Sequence, residues 1–213
     1  MGGYQMKRKI LSLILIGLLL LLASNIPQPL LAGDEQNPEI EDEIEEDIAG
    51  YLDIISAWFY ESSDQPEYLF VCLKLKDIDT NPLKQHLTVH WEYNDIPCAA
   101  MMAVGYNENE VVQFVAGWGH GFWFQEHHQE VEGEFIEETG IITFKIPKSL
   151  IKDPQQGETL TNTYALTFQR YGFIGMLGFD RIILRSIINL FTGVEHSDFG
   201  PNEGYGQDYI IKY

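Results

Sequence analysis

An all-β fold, a two-sheet antiparallel β-sandwich of the jelly-roll or immunoglobulin-like kind, is predicted by three observations. From Asp53 onward, short apolar or aromatic runs alternate with period two. Polar turn segments separate these runs at short intervals, and long helical stretches do not alternate with them. That pattern argues against crossover-linked α/β folds, and one-sided strands are buried most economically between two facing sheets.

The elements follow in order. YLDIISAWFY opens the domain, with Ile54, Ser56 and Trp58 expected on one face and Ile55, Ala57 and Phe59 on the other. ESSDQPE reads as a turn. In Tyr68–Leu75, Leu69, Val71, Leu73 and Leu75 oppose Phe70, Cys72 and Lys74, which predicts a strand with a partly covered second face. KDIDTNPLKQ connects it to Leu87–Asn94, where Val89, Trp91 and Tyr93 oppose Thr88, His90 and Glu92. CAAMMAVGY is a further strand, NENE a hairpin turn, and VVQFVAGW the next strand, continuing past its glycines as FWFQEHHQEVEGEF. IITFKIP is a β run stopped by Pro147, KSLI a single helical turn, and DPQQGE a loop. Asn162–Arg170 is a core strand in which Tyr164, Leu166 and Phe168 share a face, and DYIIKY closes as an edge strand. One departure interrupts the β pattern. Residues 178–191, GFDRIILRSIINLF, place Phe179, Ile182, Ile183, Leu190 and Phe191 at helical spacing and predict an inserted amphipathic helix.

Residues 1–32 have the parts of an export signal: Lys7, Arg8 and Lys9, an apolar run from Ile10 to Ala23, and small residues at Ala32 and Gly33. The run is 14 residues long, short of the roughly 20 a spanning helix needs. A secreted or cell-surface protein is expected. The alternative is a domain held outside by an uncleaved anchor over residues 10–23. The chain has 13 Lys plus Arg and 32 Asp plus Glu, a formal charge of −19. Removal of residues 1–32 takes three bases and no acids, leaving 10 against 32, or −22. Such a chain has few cations with which to displace phosphate counterions, so nucleic acid is excluded as a partner. Nine of the acids fall in residues 34–47, which predicts that 33–49 form a solvated, flexible linker ahead of a domain over 50–213. Cys72 and Cys98 lie in that domain, where export permits a disulfide; a buried free thiol is the competing reading.

DIISAWFYE at Asp53–Glu61, the following YLFVCLKLKD, GIITFKIPKSLI at Gly140–Ile151 and the closing GPNEGYGQDYIIKY together resemble secreted β-sandwich domains. The similarity is to family 9 carbohydrate-binding modules and the related DOMON-like domains, and it spans the domain at the level of strand and turn patterns. It implies a sandwich fold and an exported binding module whose relatives take sugars, haem or calcium, or have no known ligand. It transfers no ligand-contacting residue to this chain.

The candidate sites are read from the residues. In GWGHGFWFQEHHQE, Trp118 and Trp123 have the chemistry to stack on a sugar ring, with His120 and Trp91 as further ligand candidates; core packing is the plainer use of such aromatics. Gly117, Gly119 and Gly121 weaken the strand and mark a bulge or a close backbone approach. The letters EHHQE do not form the HExxH metalloprotease pattern. Asp53, Asp198, Glu203 and Asp208 supply oxygens suited to structural calcium, though not at EF-hand spacing. No G-x-S-x-G elbow or glycine-rich phosphate loop occurs, so the reading leans away from an enzyme. The expected function is a non-catalytic binding or surface protein whose partner is a carbohydrate, a small apolar molecule or a cell-envelope component. Its alternatives are an envelope-associated structural protein touching a membrane or partner through 178–191 and, more weakly, a secreted hydrolase. Oligomeric state is not legible.

Overall fold

Two antiparallel sheets face each other across one apolar interior. The computed structural model describes residues 33–46, 48–78, 85–104, 112–119, 127–169 and 197–213. In chain order the strands are β1 (Ile40–Glu41), β2 (Ile54–Ser62), β3 (Gln65–Leu75), β4 (Gln85–Tyr93), β5 (Ile96–Val104) and β6 (Gln113–Trp118). They continue with β7 (His127–Glu130), β8 (Glu132–Ile136), β9 (Ile141–Pro147), β10 (Thr159–Gln169), β11 (Ser197–Gly200) and β12 (Tyr209–Ile210). A 3-10 turn over Lys148–Ile151 follows β9, as KSLI predicts. One sheet has five strands in the order β1-β2-β3-β9-β8. The other has seven, ordered β11-β10-β4-β5-β6-β7, with β12 also on β10.

Period-two alternation puts Leu69, Val71, Leu73 and Leu75 of β3 inward against Val89, Trp91 and Tyr93 of β4. Phe59 joins the two layers, meeting Trp91 edge-on at 5.5 Å and Tyr209 at 5.6 Å. Alternation fails in β2, where the register slips between Ile54 and Ser56. The bulge turns Ile54 to the same side as Ala57 and Phe59, so the expected grouping of Ile54 with Ser56 and Trp58 is corrected.

Three further expectations change, and for the cysteines the free-thiol alternative is the one observed. Residues 33–49 are not a free linker: Ile40 pairs with Ala57 and is fully buried, and Glu39 accepts the Phe59 N–H at 2.9 Å. Ile40 and Glu39 thus anchor this acidic segment to β2. The strand entered at VVQFVAGW does not run on but reverses, since β6 and β7 are antiparallel with Trp118 opposite His127. In β10, Ala165 faces the interior opposite Val89, which turns Tyr164, Leu166 and Phe168 outward. Cys72 and Cys98 are free rather than bonded, because they occupy different sheets and Cys98 faces the interior while Cys72 faces out. The helix expected at 178–191 lies outside the described residues. Among the described residues, no helix is long and apolar enough to cross a membrane.

Candidate functional site

The outward face of the five-stranded sheet carries an open groove of about 440 Å³, inside the roughly 300–1,000 Å³ typical of small-molecule sites. Strand register builds it in rows. Tyr60 of β2 stands opposite Phe70 of β3, Phe70 opposite Lys145 of β9, and Lys145 opposite Glu132 of β8. The adjacent row runs Trp58, Cys72, Thr143 and Glu134. Every one of these residues has the parity opposite to its strand's core set, which is why they share one surface.

The groove's floor is aromatic and its rim polar. The Tyr60 and Phe70 rings stack with centroids 4.7 Å apart and planes 9° from parallel. Lys145 Nζ sits 3.0 Å from Glu132 Oε2 and 4.4 Å from the centre of the Tyr68 ring. Glu134, Thr143 and the backbone of Gly133 complete the lining. A side chain at Gly133 has no room, because its Cβ would lie 2.2 Å from the Phe114 ring.

Protonation states follow from burial. Desolvation, then the neighbouring Cys72 and Glu134, pushes the Tyr60 hydroxyl up to about 12. At neutral pH it stays protonated and can donate a hydrogen bond. Burial likewise raises the Cys72 thiol to about 12, with the Thr143 hydroxyl at 3.5 Å opposing and Glu134 adding to the rise. Cys72 is therefore a neutral thiol and not a nucleophile. Stacked rings beside carboxylates, a hydroxyl and an amine suit a ligand with an apolar face and polar edges.

The residues singled out from the sequence lie elsewhere. Trp91 is 1 % exposed in the core and is corrected from ligand candidate to packing residue. Trp118 is half-buried, with the His127 ring 4.0 Å and Lys152 Nζ 3.1 Å from its centre. The Trp118 ring is thus already engaged by an imidazole and an ammonium. His120 and Trp123 lie outside the described residues. Gly117 does mark a close approach, since a Cβ there would stand 2.0 Å from the His127 carbonyl oxygen.

Of the calcium candidates, Asp53 and Asp198 come near each other, but Glu203 and Asp208 are exposed on the closing segment. Asp198 is committed to the fold: Oδ2 accepts the Ile54 N–H and Oδ1 the Phe199 N–H, both at 2.7 Å. Asp53 accepts the Glu45 N–H at 3.3 Å and pairs with Lys76 at 3.2 Å. No group of three or more His, Cys, Asp or Glu among the described residues is placed to hold a metal ion.

Comparison with protein-family models, with curated proteins and with solved structures finds no match to this chain.

Sequence reasoning missed the groove's residues. The available signal was the off-core parity of Tyr60, Phe70 and Cys72, which marks an aromatic second face on two successive strands. It could not say that β8 and β9 would bring Glu132, Glu134, Thr143 and Lys145 beside them.

Proposed function

We propose that this chain is an exported, non-catalytic binding module that takes a carbohydrate in the groove of the five-stranded sheet. The observation that carries this reading is the parallel Tyr60–Phe70 pair flanked by Glu132, Glu134, Thr143 and Lys145. The apolar C–H face of a pyranose packs on an aromatic surface, while its hydroxyls hydrogen-bond to carboxylates, hydroxyls and amines around the edge. Export is supported by the basic start at residues 7–9 and the apolar run at 10–23.

Calorimetric titration of the protein with β-1,4-linked glucose-type tetramers tests the reading. Binding is expected, and Tyr60→Ala should weaken it about tenfold or more by removing the ring a sugar would cover. A Tyr60→Phe variant keeps the stacking surface and should retain most of the affinity. Equal binding by wild type and Tyr60→Ala, with the melting temperature preserved, would reject the groove as the site.

A further inference from the structure

We infer that the groove selects a saccharide bearing a protonated amine beside its stacking face, with Glu134 as the carboxylate that receives that amine. This rests on the groove being a sugar site and goes on to name the class of sugar. Three observations lead to it.

The charges of the groove are unequally committed. Glu132 and Lys145 neutralise each other at 3.0 Å, and Lys145 is further held over the Tyr68 ring. Glu134 stands one row away, opposite Thr143, exposed, and makes no hydrogen bond or ion pair among the described residues. The one uncommitted charge of the lining is therefore negative. Its influence reaches across the groove, because it contributes to holding both the Tyr60 hydroxyl and the Cys72 thiol protonated.

The floor favours the same ligand charge. The face of an aromatic ring carries negative electrostatic potential; Tyr60 and Phe70 each cover one face of the other, so a cation brought against a remaining face is attracted. At the largest scale, a formal charge of −19 lowers the local concentration of anionic polymers and raises that of cationic ones. Uronic-acid and sulfated sugars are disfavoured at all three levels. Neutral sugars satisfy the floor and the hydroxyl donors but leave Glu134 without a counter-charge. An amino sugar satisfies all of them.

Titration of the full chain at pH 6 with two tetramers of the same β-1,4 linkage, one of glucose and one of glucosamine, decides the matter. The glucosamine tetramer should bind about fivefold more tightly, the size of a solvent-exposed ion pair. That advantage should shrink as ionic strength rises from 0.05 to 0.5 M, since exposed pairs are screened (Debye length about 10 Å at 0.1 M). Glu134→Gln should bring the two affinities together, and because Glu134 is exposed its melting temperature serves as the check on folding. Binding of both tetramers with equal affinity, or an amine preference that survives Glu134→Gln, overturns the selectivity while leaving the groove reading in place. Binding of neither overturns the groove reading and this inference with it.

Discussion

Glu61 and Lys148 form a buried ion pair that ties the C-terminal residues to the sandwich. Their charged atoms are 2.5 Å apart, with side-chain exposures of 0 % and 5 %. Glu61 Oε2 also accepts the Tyr209 hydroxyl at 3.1 Å and the Lys212 N–H at 2.6 Å, while Lys148 Nζ donates to the Tyr213 carbonyl oxygen. The pair thus joins β2, the 3-10 turn and the segment containing β12. Removing one partner leaves the other charge buried and uncompensated, at a cost of about 3–5 kcal/mol. Lys148→Met should lose about that much stability in urea denaturation, and Glu61→Gln with Lys148→Met should recover part of it. A loss below about 1 kcal/mol for Lys148→Met would mean that the pair is solvated. Neither residue was legible as structural in the sequence. Glu61 opens ESSDQPE, whose composition is that of a turn, and Lys148 opens the short helical KSLI. Only the extension of β2 to Ser62 places Glu61 beside that helical turn.

Among the elements, those with unbroken alternation were legible and those depending on a partner were not. Tyr68–Leu75 and Ile141–Pro147 read correctly because each has one continuous apolar face that must meet the interior. GWGHGFWFQEHHQE misled because period two is the same before and after a reversal, so a hairpin and a single strand share one pattern. Gly117 held the missing information. With β7 packed against it, a Cβ would lie 2.0 Å from the His127 carbonyl oxygen and 2.8 Å from the His128 Cα, both backbone atoms that cannot rotate away. Gly117→Ala should therefore push β7 off β6 and destabilise the fold by about 1–3 kcal/mol. Amide hydrogen exchange should quicken at Ala116 and Trp118, whose N–H groups face β7, with little change in β3. Unchanged exchange there would show that β7 accommodates the methyl. Tyr164, Leu166 and Phe168 misled in a different way. Leu166, Phe168, Phe199 and Met101 are buried although they lie on the face of the seven-stranded sheet turned away from the other sheet, so their hydrophobicity does not report which side is the core.

Across the whole molecule, the acid-rich composition has a consequence for pH. Glu39, Asp42 and Asp198 are all held above the ordinary carboxylate range, chiefly because burial disfavours their charged forms. Glu39 and Asp42 rise to about 7 and Asp198 to about 6, with Asp42 and Asp198 close enough for mutual repulsion on Asp42 and Lys212 partly offsetting the rise at Glu39. A carboxylate raised on folding leaves the native state holding more protons than the unfolded chain between its two values. The stability it contributes is fully present below the unfolded value near 4 and is lost as pH climbs through the folded value. The melting temperature should therefore fall from pH 4.5 to pH 7.5 and level off above. General self-repulsion of a chain at −19 has the same sign, but it is screened by salt, whereas desolvation of a buried carboxylate is not. Measured in 1 M NaCl, the surviving part of the slope reports the buried groups. Asp42→Asn separates them further, since it removes a carboxylate with one buried oxygen, Oδ2, that lacks a hydrogen-bond partner. The variant should melt a few degrees higher than wild type at pH 7.5 and show a shallower slope. A melting temperature that rises with pH in high salt would mean that these carboxylates ionise inside the fold without cost, and the buried acids would then have to be open to water.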